Sequence, residues 1–429
     1  MRSIVNKNLL ITEINERKLD TVLFSLYGEH TAARRERLAG LVDGFIELYG
    51  EREISLFSVP GRSELSGNHT DHNGGCVIAT SVDLDIIAAA SPREDGIIRL
   101  KSEGFPEDTV DINEYTTPRK SDHGHSSALI AGIVDGFRKK GYNVGGFDAY
   151  TVSNVLKGSG LSSSAAFEVM IGNILNHLYN GGKIDNVEIA KLAQYSENVF
   201  FGKPCGLMDQ VACAVGGIVA IDFADASAPV IESVGFDLTE AGYRLCIVDT
   251  GGSHADLTDD YAAIPREMKA VAAEFGKKRL RETSEFDVIA SIPTLREKLG
   301  DRAVLRALHF FNENKRVINQ TAALKAGDVE GFFKGVKESG HSSACYLQNA
   351  YSVKDVKSQG VSLAVNLAEN FLADKNGAAR LHGGGFAGTV QVFVPSEDSE
   401  NFKKYVEKVF GEGSCHILRV RTKGAVKIK

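Results

Sequence analysis

Lys157–Met170 reads KGSGLSSSAAFEVM, and the fold turns on how that stretch is read. The residues before it, GGFDAYTVSNVL, carry the β-branched and aromatic content of a strand. After it, Ala166, Val169, Met170, Ile174 and Leu178 recur at helical spacing, so the glycines fall in a strand-to-helix turn. Gly158 and Gly160 remove side chains where backbone must approach something closely, and Ser162, Ser163 and Ser164 suit a helix N-terminus with hydroxyls left to donate. Such a turn offers unpaired N–H groups and the positive end of a helix dipole, which suit a nucleotide's phosphates. Two glycines alone would make an ordinary capped turn; three serines directly after them, opening a well-patterned helix, favour the anion site. Lys157 precedes the glycines instead of closing the loop, and no third glycine completes a dinucleotide fingerprint. A phosphate-binding cation must therefore come from elsewhere.

Working toward the N-terminus, RSELSGNHTDHNGG places Arg62, Glu64, Asn68, His69, Asp71, His72 and Asn73 within twelve positions. Gly67, Gly74 and Gly75 let a loop fold tightly enough to aim those groups at one point, as a small hydroxylated ligand requires. The loop follows an extended run, ISLFSVPGR, that Pro60-Gly61 is expected to end. It precedes CVIATSVDLDIIAAAS, which reads as buried helix or strand followed by strand. Before all this, Leu38, Leu41, Val42, Phe45, Ile46 and Tyr49 form the apolar stripe of a helix within residues 1–50. Residues 95–125 are polar and predict a hairpin, and GHSSALIAGIVDGFRKKG a helix stopped by Gly141.

Toward the C-terminus, NVEIAKLAQYSENVFFG predicts a helix with Glu197 near its end. In GKPCGLMDQVACAVGG, Pro204 and Gly206 break the chain before a new helix whose first turns hold Asp209. A first-turn acid favoured by the helix dipole is the plain structural account of Asp209. Residues 284–340 predict short helices alternating with polar turns. HGGGFAGTV again allows close backbone approach at Gly383, Gly384 and Gly385 ahead of a strand, and VRTKGAVKIK predicts an edge strand.

The chain has 429 residues, 43% of them hydrophobic and 24% charged, enough for two domains with real cores. Strands and helices intermix, predicting an α+β chain with a boundary near 230, where DASAPVIESVGFD interrupts the patterning. That gives a helical extension at 1–50, an N-terminal domain at 51–230 with the phosphate loop at 157–167, and a C-terminal domain at 231–429. A formal charge of −7 argues against nucleic acid as a partner. No apolar run reaches the roughly twenty residues that cross a bilayer, and MRSIVNKNLLITEINERK has no signal-peptide core. The six scattered cysteines lack CxxC pairs and read as reduced thiols in a cytoplasmic protein, with structural zinc disfavoured.

Taken in order, PGRSELSGNHTDHNGG, KGSGLSSSAA and HGGGFAGTV resemble the three motifs of the GHMP kinase superfamily, and the first resembles the galactokinase signature. The resemblance implies a two-domain α+β GHMP kinase fold with the active site in the cleft between domains. It implies transfer of the ATP γ-phosphoryl group to the anomeric hydroxyl of galactose, with Mg²⁺. Arg62 and Asp209 would be catalytic, while Asn68, His69, Asp71, Gly206 and Tyr261 would contact the sugar. Gly158, Ser159, Gly160, Leu161, Ser162, Ser163 and Ser164 would hold ATP, and Ser164 with Glu197 the magnesium. The pattern departs from the galactokinases at Asn68, where they usually have a glutamate that helps bind the C6 hydroxyl. Ser63, Glu64 and Ser66 likewise replace their usual Val, Asn and Ile. These departures leave open a 1-kinase for a relative altered at C6, such as galacturonate. A galactose- and ATP-binding regulator without turnover, or a GHMP kinase for homoserine or mevalonate, are further alternatives, against which the complete serine turn, Arg62 and CGLMDQ weigh.

Overall fold

The computed structural model describes residues 7–28, 31–155, 160–203, 205–225, 228–252 and 257–429. In chain order its strands are β1 (Ser55–Ser66), β2 (Cys76–Arg93), β3 (Ile97–Ser102), β4 (Glu107–Asp111), β5 (Gly146–Ser153), β6 (Ile218–Asp222) and β7 (Val230–Val234). They continue as β8 (Tyr243–Asp249), β9 (Ala378–Leu381), β10 (Thr389–Pro395), β11 (Cys415–Leu418) and β12 (Val426–Lys427). Among the described residues they form two sheets. The larger runs β12-β1-β2-β5-β3-β4, with β6 and β7 continuing from the far end of β2; the smaller is β11-β8-β10-β9. Among the described residues only the β3–β5 pairing is parallel. The chain's last strand therefore returns to the first sheet, pairing Phe57 with Lys427.

The larger sheet is covered on both faces, which explains the near-continuous apolar reading of Cys76–Ser91. Alternate residues of β2 serve opposite layers, as strand geometry demands. Ile86, Ala88 and Ala90 face the main core with the helices Ser126–Lys139, Ser163–Tyr179, Asn186–Ser196 and Met208–Val215. Ile87 and Ala89 face a second core with Leu38, Leu41, Val42 and Phe45 of the helix Thr31–Tyr49. One long strand thus stands where the sequence left helix or strand open.

Two other expectations are corrected. β1 does not end at Pro60-Gly61 but runs through them to Ser66, with the register slipping between Pro60↔Asp85 and Arg62↔Ser81. An irregularity tolerates a residue that lacks an N–H, and this one re-aims the strand just before Arg62. Within residues 284–340 the expected short helices stand at Glu285–Ala290 and Ile292–Leu299, but a 25-residue helix, Asp301–Lys325, follows where further short helices were expected. Its buried face mixes Val304, Ala307, Phe310, Val317 and Leu324 with Arg306, His309, Glu313 and Gln320, so polar residues interrupt the apolar periodicity. The expected hairpin is present as β3–β4. Among the described residues no helix is long and apolar enough to cross a membrane.

Candidate active site

The first turn of Met208–Val215 presents Asp209 to Arg62 on β1. Arg62 Nε and Nη2 donate to Asp209 Oδ1 and Oδ2, each at 2.8 Å, the bidentate geometry that only a guanidinium offers. Arg62 Nη1 also donates to the carbonyl of Gly160, and its backbone N–H to that of Leu161 at 3.1 Å. Gly61 lies against the same turn: a Cβ there would stand 3.0 Å from the Leu161 carbonyl oxygen. Ser162, in the left-handed region at φ 53°, donates its hydroxyl to Asp209 Oδ2 at 2.5 Å and immediately precedes the helix Ser163–Tyr179. Arg62, the Gly160–Ser162 turn and Asp209 thus meet around one carboxylate.

Burial alone would raise the Asp209 pKa, but the Arg62 guanidinium and the Ser162 hydroxyl outweigh it and hold the carboxyl below its ordinary value. Asp209 is an ionised acceptor near neutrality, one third exposed, beside a 7% exposed arginine.

Gly158 and Ser159 lie outside the described residues. Gly160 has a positive φ of 74°, Leu161 is fully buried, and Ser163 and Ser164 begin the helix. Beyond them opens a cavity of about 720 Å³ whose lining includes Ser163, Ser164, Phe167, Phe105, Pro106 and His125. The sequence did not disclose this cavity, because its aromatic residues come from three separate segments.

Glu197 is 3% exposed and begins the π-type turn Glu197–Phe201. Its Oε1 accepts from Lys203 Nζ at 3.0 Å and its Oε2 from Gln210 Nε2 at 2.9 Å. Gln210 Nε2 also reaches Oε2 of Glu168 at 3.2 Å, one helical turn beyond Ser164. Among the described residues, Glu168 Oε1 and Gln210 Oε1 are buried without a hydrogen-bond partner. Burial, reinforced by the charge of Glu197, pushes the Glu168 carboxyl well above its ordinary range. Hard oxygens crowded in this way suit a hard divalent cation.

His69 takes the left-handed backbone (φ 57°), and its Nε2 lies 3.0 Å from the Gly384 carbonyl. Asp71 faces Gly206 so closely that a Cβ there would sit 2.2 Å from Asp71 Oδ2. Tyr261 donates to the Gly385 carbonyl at 2.8 Å and packs edge-on against Phe386. Asn68, expected to touch the sugar, is fully buried with its amide committed inside the protein. Its Nδ2 donates to Glu64 Oε1 (3.1 Å) and the Gly383 carbonyl (2.6 Å), while Oδ1 accepts from Asn349 Nδ2 (2.8 Å) and Ser343 (3.4 Å). It braces the loop instead of presenting a free amide, and Glu64 is in turn paired with Arg380.

The long helix builds this loop's floor. His309 Nε2 meets the Asn68 carbonyl at 2.9 Å, Glu313 Oε1 accepts from the N–H groups of Gly67 and Asn68, and Gln320 Oε1 accepts from Ser66 at 2.6 Å. These supporting residues were missed in the sequence; their only signal is polar side chains recurring at positions 309, 313 and 320 on one helical face.

Known proteins bear on the arrangement. Residues 43–92 match the galactokinase galactose-binding signature and residues 128–217 the GHMP kinases N terminal domain. The galactokinase of Streptomyces coelicolor is 34% identical over 391 residues, covering 90% of this chain and 96% of that protein. The galactokinase of Clostridium tetani is 32% identical over 374 residues, covering 86% and 91%. The crystal structure of Lactococcus lactis galactokinase complexed with galactose aligns with a TM-score of 0.76 at 25% identity, covering 91% of this chain and 99% of that one. A mevalonate kinase structure aligns with a TM-score of 0.61 at 17% identity and shares the fold.

Proposed function

The chain belongs to the galactokinase family, and on that premise we propose that it transfers the γ-phosphoryl group of ATP to the anomeric hydroxyl of galactose. The observation that carries this reading is the bidentate Arg62–Asp209 pair, tied through Ser162 and the Gly160 carbonyl to the start of the serine-turn helix. Phosphoryl transfer needs in-line positioning and neutralisation of spreading charge more than covalent help. Asp209, held ionised, accepts or orients the sugar hydroxyl's proton, and Arg62 supplies the positive charge that the glycine turn lacks. The N–H groups opening Ser163–Tyr179 meet phosphate oxygens, and the cavity bounded by Phe105, His125 and Phe167 takes the base. Ser164 and Glu197 would hold Mg²⁺, which when bound neutralises phosphate charge. The partnerless oxygens of Glu168 and Gln210 beside Glu197 fit a hard cation there, with its other ligands drawn from phosphate and water. The free thiols of all six cysteines suit a reducing cytoplasm.

His69, Asp71, Gly206 and Tyr261 form the sugar side of the site. Burial pushes the Asp71 carboxyl up, as suits a group that exchanges hydrogen bonds with neutral hydroxyls. Because a Cβ at Gly206 meets Asp71 Oδ2, Gly206→Ala should displace that carboxylate. We expect the sugar KM to rise about tenfold, the loss of roughly one hydrogen bond to a charged group, with the ATP KM unchanged. Equal changes in both constants, measured by varying each substrate in turn, would remove Asp71 from the sugar site.

One observation favours a second reading. Position 68 carries no carboxylate and Glu64 is neutralised by Arg380, so a charged C6 group meets less repulsion than a glutamate at 68 would give. Purified protein incubated with ATP, Mg²⁺ and a panel of free monosaccharides, scored by ADP release and phosphosugar formation, decides between them. Galactose 1-phosphate is the expected main product. Preference for galacturonate would install the second reading, and sugar binding without turnover would end both.

A further inference from the structure

His382 stands in none of the roles assigned above, yet it joins the two sheets at the point where the reaction is set up. It follows β9 and is 2% exposed, and its backbone N–H donates to the Thr389 carbonyl at 3.0 Å. Its Nδ1 lies 2.9 Å from Thr389 Oγ on β10, and its Nε2 lies 3.0 Å from Ser63 Oγ on β1. Ser63 is the residue after Arg62. The ring also rests on the phosphate turn: a Cβ at Gly160 would come within 3.0 Å of His382 Nδ1 and 3.1 Å of Cε1. Gly160 in turn accepts the hydrogen bond from Arg62 Nη1. One imidazole from the smaller sheet thus touches the strand that carries Arg62 and the turn that receives it.

We propose that His382 is a positioning residue for phosphoryl transfer, bridging Ser63 and Thr389 so that the Arg62 strand and the Gly160 turn keep a fixed separation. The proposal rests on the kinase reading above, and it concerns alignment, since the ring is 2% exposed and both its nitrogens meet protein hydroxyls, those of Ser63 and Thr389. Misplacement of reacting groups by about 1 Å is enough to slow a transfer heavily, so a buried brace at this joint governs rate and nucleotide affinity more than sugar affinity.

The test compares wild type, His382→Ala and His382→Gln in full steady-state kinetics, with galactose binding followed by calorimetry. Wild-type turnover is the control for the kinase reading: its absence would defeat that reading, and the brace is then judged on ATP binding by calorimetry alone, which His382→Ala is expected to weaken and which, if unchanged, overturns the proposal. His382→Ala is expected to lose about tenfold in kcat and to raise the ATP KM, with galactose affinity unchanged, a loss matched to one or two neutral hydrogen bonds. His382→Gln, which can still reach Ser63, is expected to recover most of that loss. A His382→Ala enzyme with wild-type kcat and ATP KM overturns the proposal. So does a variant that loses galactose affinity in step with ATP, or a glutamine that rescues nothing. Should His382→Ala fail to fold, Ser63→Ala and Thr389→Val each cut one side of the bridge and are expected to raise the ATP KM in the same direction; two silent variants would be equally fatal.

Discussion

Asp209→Asn is expected to lower kcat by about 10²–10⁴-fold, the range that a positioned general base contributes, while leaving galactose binding and the fold nearly unchanged. The substitution is almost isosteric, and the amide oxygen still accepts one hydrogen bond from Arg62. What disappears is the ionised oxygen pair that Arg62 and Ser162 hold below the ordinary carboxylate range. The same pairing sets the pH behaviour. Because the folded pKa is depressed, Asp209 stays charged down through weakly acidic pH, and turnover should show no loss from its protonation between pH 8 and 5. ADP release across that range, beside calorimetric galactose binding, checks both statements. An Asp209→Asn enzyme within tenfold of wild type would take the carboxylate out of the mechanism.

The glycine-serine turn was legible because chemistry restricts which residues can stand there: a phosphate site needs small residues and hydroxyls at a helix start. Asp209 by itself read only as a first-turn acid, and its catalytic role came from the resemblance of CGLMDQ and of the motifs around it to the galactokinases. The supporting shell was illegible for the opposite reason. His309, Glu313 and Gln320 occupy the buried face of Asp301–Lys325, where sequence patterning looks for apolar residues, and their partners lie some 240 residues away in the chain. The surroundings of Asn68 were hidden too: a polar residue in a glycine-rich loop looks available to a ligand, and only the fold shows four hydrogen bonds running from it into the protein. The role of the first fifty residues was equally hidden. Their apolar stripe announced a helix, but nothing local showed that its target is the outer face of the sheet that carries Arg62.

That attachment has a polar centre, and its removal is expected to give the largest loss of stability. Asp85 on β2 is fully buried and collects Tyr27 (2.5 Å) and Arg37 (2.5 Å) from the N-terminal helices, Ser58 from β1, and Arg421 (3.1 Å) from the C-terminal segment. Burial alone would raise its pKa; Arg37, Arg421 and the hydroxyl of Ser58 bring it down to about 2. A depressed carboxyl pKa contributes stability above the unfolded value and loses it as pH falls through the folded one, here from about pH 4 to about pH 2. Against an unfolded value near 3.9 this amounts to about 2.5 kcal/mol at neutral pH. Asp85→Asn removes that contribution and also leaves two buried guanidinium groups without their shared anion, so the cost should reach about 3–5 kcal/mol. In a protein of this size that lowers Tm by about 3–6 °C. The variant's acid-induced decline between pH 4 and 2 should also be shallower than the wild type's, because one of the groups that titrate there is gone. Melting curves of both proteins at pH 7 and through that acid window test the pair of statements. Coincident midpoints at neutral pH would mean that the backbone carbonyls receiving Arg37 and Arg421 hold the N-terminal helices to the sheet without Asp85.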